Sequence, residues 1–141
     1  MKTDQTGQLI SLMLATGRAI REASRGIGLS PFSALRVEAL AYVDASGHPT
    51  MRDMAEHFSI TPPSATSLVH GLVKSGAVRR VADAGDRRVT RLAITASGRR
   101  ALETGRGELA GHMRAVLDKL DASERDALIK IFTKLSRTYP S

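Results

Sequence analysis

The change of hydrophobic period at Gly76 constrains the fold of this chain more than any other feature. In "TPPSATSLVHGLVKSG" (Thr61–Gly76), Ala65, Leu68, Val69 and Leu72 fall at i, i+3, i+4 and i+7, the stripe of an amphipathic helix. Thr61 can cap it, and Pro62 suits the first helical position, where its missing N–H would be orphaned anyway. Gly76 stops it. Immediately afterwards "AVRRVA" and "RVTRLAI" are short, β-branched and separated by the tip "DAGDR". That pattern predicts a β-hairpin with a loop of about five residues. In its second strand Thr90, Leu92 and Ile94 share one face, and Val89 and Arg91 the other. A helix running without a spacer into a hairpin leaves few architectures open.

The flanks read as helices. Residues 5–26 carry Leu9, Met13, Gly17, Ile20 and Ile27 at helical spacing, widened by Ile10, Leu14 and Ala23. A stripe that wide predicts contact on more than one side. "LISLMLA" inside it could pass for the apolar core of a signal peptide. Its polar flank, with Asp4 beside Lys2, and the break into "TGRAIRE" favour an amphipathic helix. No apolar stretch approaches the length of a membrane span. After "GIGLSP", Ser30 as cap and Pro31 start a second helix to about Ala45, burying Leu35, Ala39, Leu40 and Val43. Thr50 caps "MRDMAEHF", with Met51, Met54, Ala55 and Phe58 inward and Asp53 at the positive helix end. Thr95 caps a long helix, about 96–119, with Leu102, Gly105, Leu109, Met113, Val116, Leu117 and Leu120 on its stripe. Asp121 and Glu124 have capping-box spacing for a sixth helix that buries Leu128, Ile131, Phe132 and Leu135. The fold class is therefore mainly α with a small β-hairpin.

Charge is informative once divided. Residues 1–60 carry six basic and six acidic residues, and residues 101–141 carry seven and six. Residues 61–100 hold eight basic residues (Lys74, Arg79, Arg80, Arg87, Arg88, Arg91, Arg99 and Arg100) against Asp83 and Asp86. Nearly all of the net +7 thus sits in one forty-residue block, as on a polyanion-binding face. Cysteine is absent, which removes disulfides, thiolate metal sites and a cysteine nucleophile and fits an intracellular, cytoplasmic location. Aromatics at 4% with no Trp argue against a sugar cleft lined by stacked rings.

A short helix, a turn, a second helix with a small polar outer face and a basic hairpin together follow the logic of a winged helix-turn-helix. With the apolar stripe inward, Pro63, Ser64, Thr66, Ser67 and His70 face out. Their short side chains allow deep entry into a major groove and bonds to phosphates or base edges. No Arg or Asn precedes Lys74 on this helix, so shape and wing contacts carry a larger share of specificity. Lys74, Arg79 and Arg91 are candidate phosphate contacts.

Residues 51–100, "MRDMAEHFSITPPSATSLVHGLVKSGAVRRVADAGDRRVTRLAITASGRR", resemble the core of the MarR family of bacterial transcription regulators. The family's elements appear as Ala55 in the short helix, "SITPPSATSLVHGLVKSGAVRR", the "DRR" of the wing and "ITASG" opening a long helix. Ser67 departs from the family, in which a basic residue is common at this place. At 141 residues the chain reads as a single domain, 1–141, in which the resemblance implies dimerisation helices at about 1–30 and 97–141 and a winged DNA-binding region at about 31–96. It implies a homodimer on the double-stranded DNA of a pseudo-palindromic operator, with a small-molecule effector of unspecified identity. In the family wing an Asp braces an Arg that reaches DNA. Carried over, Asp86 braces Arg88, and Arg87 or Arg88 enters the minor groove or grips phosphate.

Other patterns are weaker. The glycines of "GRGELAG" (Gly105–Gly111) lie inside a helix and read as close packing or a bend, not a nucleotide loop. His48, His57, His70 and His112 lack metal-ligand spacing, and no nucleophile elbow appears. Neither a metal, a cofactor nor an enzymatic activity is expected. Tyr42, His57 and His112 are conceivable pocket residues. Two further readings stand beside a sequence-specific repressor: a non-specific architectural DNA binder, and an enzyme or carrier with an interface pocket. The charge partition argues against the last.

Overall fold

Four side-chain caps set where helices begin. In a computed structural model, which describes residues 3–25 and 31–137, the chain forms α1 (Thr3–Arg25), α2 (Pro31–Ser46), α3 (Met51–Phe58) and α4 (Pro62–Lys74). The hairpin β1 (Val78–Ala82) and β2 (Thr90–Ile94) follows, then α5 (Ala96–Leu117) and α6 (Ala122–Ser136). Thr50, Thr61, Thr95 and Asp121 each accept the backbone N–H three residues on, a contribution of about 0.5–2 kcal/mol per cap. Asp53 does more than sit at a positive helix end. Its carboxylate accepts the Thr50 N–H at 2.9 Å and closes a capping box. The expected Ser30 cap lies outside the described residues.

The core belongs to the middle of the chain. Ala39, Leu40 and Val43 of α2 meet Met54 of α3, Val69 and Leu72 of α4, Ala77, Val78 and Leu92 of the hairpin and Leu102 of α5. Gly76 turns the chain from α4 into β1 with φ of 79°, a left-handed conformation that favours glycine. The strands are antiparallel, from Val78 opposite Ile94 to Ala82 opposite Thr90. The tip spans residues 83–89, longer than the five expected, because Arg88 and Val89 turn back on Asp86: the Arg88 N–H donates to its carboxylate and the Val89 N–H to its carbonyl, each at 3.0 Å. Residues 48–50 lie along β2. Thr50 bridges to Arg91, and the Leu92 N–H donates to the Pro49 carbonyl at 2.9 Å.

α5 lies tight against this core. A Cβ on Gly98 would run into the Ala77 carbonyl oxygen, and one on Gly105 would stand 2.5 Å from Val37 Cγ2. Gly105 therefore has the packing role expected of it, whereas a Cβ on Gly107 or Gly111 would meet nothing within 4 Å among the described residues.

The terminal helices depart from expectation. Ile131, Phe132 and Leu135 of α6 are not buried but 54–59% exposed, and Leu128 is only half-buried. On α1, Leu9, Ile10, Met13 and Leu14 are 48–68% exposed. The physical reason is that a single chain offers these faces no covering layer. On α5 the expected stripe is buried at Leu102 and half-buried from Gly105 to Leu120. On α2 Leu35 is half-buried, and on α3 Met54 is buried while Met51, Ala55 and Phe58 are half-buried.

Candidate nucleic-acid interface

The turn between α3 and α4 is short because both ends are closed locally. Ser59 takes a left-handed conformation with φ of 50°, and the Ile60 N–H returns to the Ala55 carbonyl at 3.0 Å. Thr61 then starts α4 and donates its hydroxyl to Ser64 Oγ at 2.9 Å. With Ala65, Val69 and Leu72 buried, Pro63, Ser67, His70 and Lys74 form one exposed ridge at i, i+4, i+7 and i+11. Ser64 and Thr66 flank it. The Thr66 hydroxyl donates to the Pro62 carbonyl at 3.0 Å, which leaves its oxygen able to accept. Pro63, Ser64 and Ser67 also edge an apolar groove against Leu35 and Arg36 of α2. All five recognition-helix candidates are exposed.

The wing is organised by two acid–arginine pairs. At the tip, Asp86 accepts the Arg88 backbone N–H at 3.0 Å and its Nε and Nη2 at 3.1 and 3.2 Å. This bidentate contact fixes the guanidinium plane, yet the Arg88 side chain stays 91% exposed. Arg87 is exposed and has no ion pair among the described residues. The structure thus separates the two arginines, one braced and one unbraced.

The second pair is at the base. Asp83 Oδ2 accepts the N–H groups of Gly85 and Asp86 at 3.0 and 2.9 Å, while its Oδ1 accepts from Arg91 Nε. The Arg91 guanidinium also donates from Nη1 to the His48 carbonyl at 3.0 Å. Arg91 bonding holds the Asp83 carboxyl below the usual carboxylate range, and Arg88 bonding does the same for Asp86. Both acids in the basic block are thereby neutralised by neighbours and repel an anion less than bare carboxylates would.

Of the candidate phosphate contacts, Lys74 and Arg79 are exposed, Lys74 at the end of the α4 ridge and Arg79 on β1. Arg91 is half-buried and already engaged. Arg80 of β1 is exposed too, and only its place in the basic block marks it in the sequence. Arg99 is tied to Asp44 at 3.3 Å, and Arg100 is exposed.

Elsewhere, Tyr42 and His57 stack at 3.9 Å between ring centroids, with Phe58 edge-on to both. His112 is buried, its Nε2 without a hydrogen-bond partner among the described residues. Among those residues no group of His, Asp or Glu is arranged to hold a metal ion, and no helix is long and apolar enough to cross a membrane.

Residues 30–89 match the model of the MarR family. No curated protein matches the sequence significantly. Solved structures match along nearly the whole chain. A probable transcriptional regulator from Pseudomonas aeruginosa superposes with a TM-score of 0.74 at 20% identity, covering 91% of this chain and 96% of that one. The transcriptional regulator BldR from Sulfolobus solfataricus gives 0.73 at 24% identity, over 97% and 99%. A MarR mutant from E. coli complexed with operator DNA gives 0.69 at 20% identity, over 92% and 91%.

Proposed function

We propose that this chain is a winged helix-turn-helix transcriptional regulator of the MarR family, whose model residues 30–89 match, and that it binds a pseudo-palindromic operator as a homodimer and represses transcription. One observation carries the reading: the exposed ridge Pro63–Ser67–His70–Lys74 stands in the same basic unit as a wing whose tip presents Arg87 and Arg88. The ridge is slim enough for a major groove, and the wing arginines reach backbone or minor groove beside it. The E. coli relative solved with operator DNA supports the same partner. Exposed apolar residues on α1 and α6 support dimerisation through the terminal helices. Two recognition helices then meet successive major grooves about 34–36 Å apart.

The absence of Arg and Asn from the ridge before Lys74 favours a second reading, a non-specific architectural binder. Selection from random-sequence DNA separates the two. An enriched palindrome supports the regulator, and no enrichment supports the architectural protein. The double variant Arg87→Ala, Arg88→Ala tests the wing: affinity falls, and the salt slope drops by about 0.9 per lost phosphate contact. Unchanged affinity and slope would overturn the wing's role.

A small molecule held between the terminal helices and the winged region would regulate binding by altering the separation of the two recognition helices. The stacked Tyr42–His57 pair and the buried His112 are its polar candidates. Ligand-induced loss of DNA binding that is weakened by His112→Leu supports this arrangement, and an undiminished response in that variant removes His112 from it.

A further inference from the structure

The wing carries one arginine that does not face outward like the others. The Arg91 side chain is 38% exposed and Asp83 19%, against 91% for Arg88. Two faces of the Arg91 fork are occupied. Nε meets the carboxylate that folds the tip around the Gly85 and Asp86 N–H groups, and Nη1 meets the His48 carbonyl, 43 residues away in sequence.

The His48 end of this contact matters. Gly47 and His48 both take left-handed conformations, with φ of 61° and 59°, and His48 precedes the buried Pro49. A non-glycine residue in that region needs surrounding support to persist. Support comes from β2 through Arg91 Nη1 and through the Leu92 N–H on the Pro49 carbonyl. Two residues on, Thr50 caps α3 through its box with Asp53. One guanidinium therefore touches both the loop that folds the tip and the segment that starts the helix-turn-helix.

We propose that Arg91 is a positioning residue rather than a phosphate contact: with Asp83 and the His48 carbonyl it locks the wing to the helix-turn-helix and so sets where Arg87 and Arg88 meet DNA. This rests on the DNA-binding function proposed above. Lysine cannot replace it, because a single ammonium lacks the planar fork that serves a carboxylate and a carbonyl at once.

The test uses the full chain and a duplex selected by the wild type from random-sequence DNA. Arg91→Lys keeps the charge, so a phosphate contact would survive it. Positioning predicts instead a loss of roughly tenfold, comparable to one specific contact. Asp83→Asn removes an acid from the basic face. Electrostatics alone predicts tighter binding, whereas positioning predicts weaker binding. In the Arg87→Ala, Arg88→Ala background, Arg91→Lys adds little further loss if it acts through the tip, and the same loss as in the wild type if it acts independently of those two arginines.

A readout without DNA completes the test. Exchange of the Gly85 and Asp86 amides quickens in Arg91→Lys, while the strand amides of Arg79 and Ala93, a hydrogen-bonded pair of the ladder, stay protected and show an intact hairpin. Wild-type affinity in Arg91→Lys, tighter binding in Asp83→Asn or unchanged Gly85 and Asp86 exchange each overturns the proposal. If the wild type selects no DNA and binds none, the DNA-binding reading fails, and the amide exchange alone then shows whether Arg91 orders the wing.

Discussion

The winged region and the terminal helices carry similar apolar stripes and use them differently. Between Ala39 and Leu102 the stripes of α2, α3, α4 and α5 close on one another and on the hairpin, leaving Met54, Val69, Leu72 and Leu92 with at most 1% exposure. On α1 and α6, Leu9, Met13, Ile129 and Phe132 remain 48–68% exposed. An apolar stripe states that a face will be covered but not by which chain. The winged region completes its own core. The terminal helices do not, and the proposed homodimer is the arrangement that would cover them.

The sharpest way to break this contrast is at Gly98. Gly98→Val places side-chain atoms where the Ala77 carbonyl stands, and because the obstacle is backbone, the loss exceeds the roughly 1–3 kcal/mol of ordinary overpacking. Circular dichroism should show an unfolded winged region, and a cooperative melt near wild type would contradict the packing described. Next, Leu72→Ala opens the self-contained core and costs about 2–5 kcal/mol in chemical denaturation. A loss below 1 kcal/mol would mean that this core is not self-contained.

Phe132→Glu probes the other region. It removes no contact from the core, so the winged region should stay folded while sedimentation shows a shift from dimer to monomer. An unaltered dimer would show that the exposed face of α6 is not the one covered. Thr50→Ala is smaller still. It should cost about 0.5–2 kcal/mol and quicken amide exchange at the start of α3, leaving the oligomeric state unchanged.

The weakest effect is that of acid. The Thr50 backbone N–H holds the Asp53 carboxyl below its usual range, Arg91 does so for Asp83, and Arg88 for Asp86. Depressed carboxylates stabilise the fold above their unfolded value, about 3.9, and lose that contribution as pH falls through the lower folded values. Stability should be flat from pH 7 to 5 with respect to these three groups. Wing order should then decay below about pH 4, seen as faster exchange at Gly85 and Asp86. Loss of wing order on raising the pH instead would contradict the sign.

Legibility in the sequence followed distance along the chain. The caps at Thr50, Thr61, Thr95 and Asp121 were readable because donor and acceptor lie three residues apart. The outer ridge of α4 was readable because helical geometry alone decides which residues oppose Ala65, Val69 and Leu72. The Asp86–Arg88 pair, two residues apart, was anticipated from the family's wing. The Asp83–Arg91–His48 link was not, since its members are 8 and 43 residues apart and meet only after β2 docks on residues 48–50. Arg91 in sequence is one more basic residue of the block.

Local periodicity, caps and charge partition thus determined the order of elements, the outward face of α4 and the basic character of the wing, because each depends on neighbours within a turn or a strand. Tertiary structure alone decided which arginines still point outward and which apolar faces remain uncovered. Those outcomes depend on what a side chain meets across the fold. Arg88 and Arg91 are chemically the same residue. One pairs with Asp86 and stays in solvent, and the other is held between a loop carboxylate and a distant carbonyl.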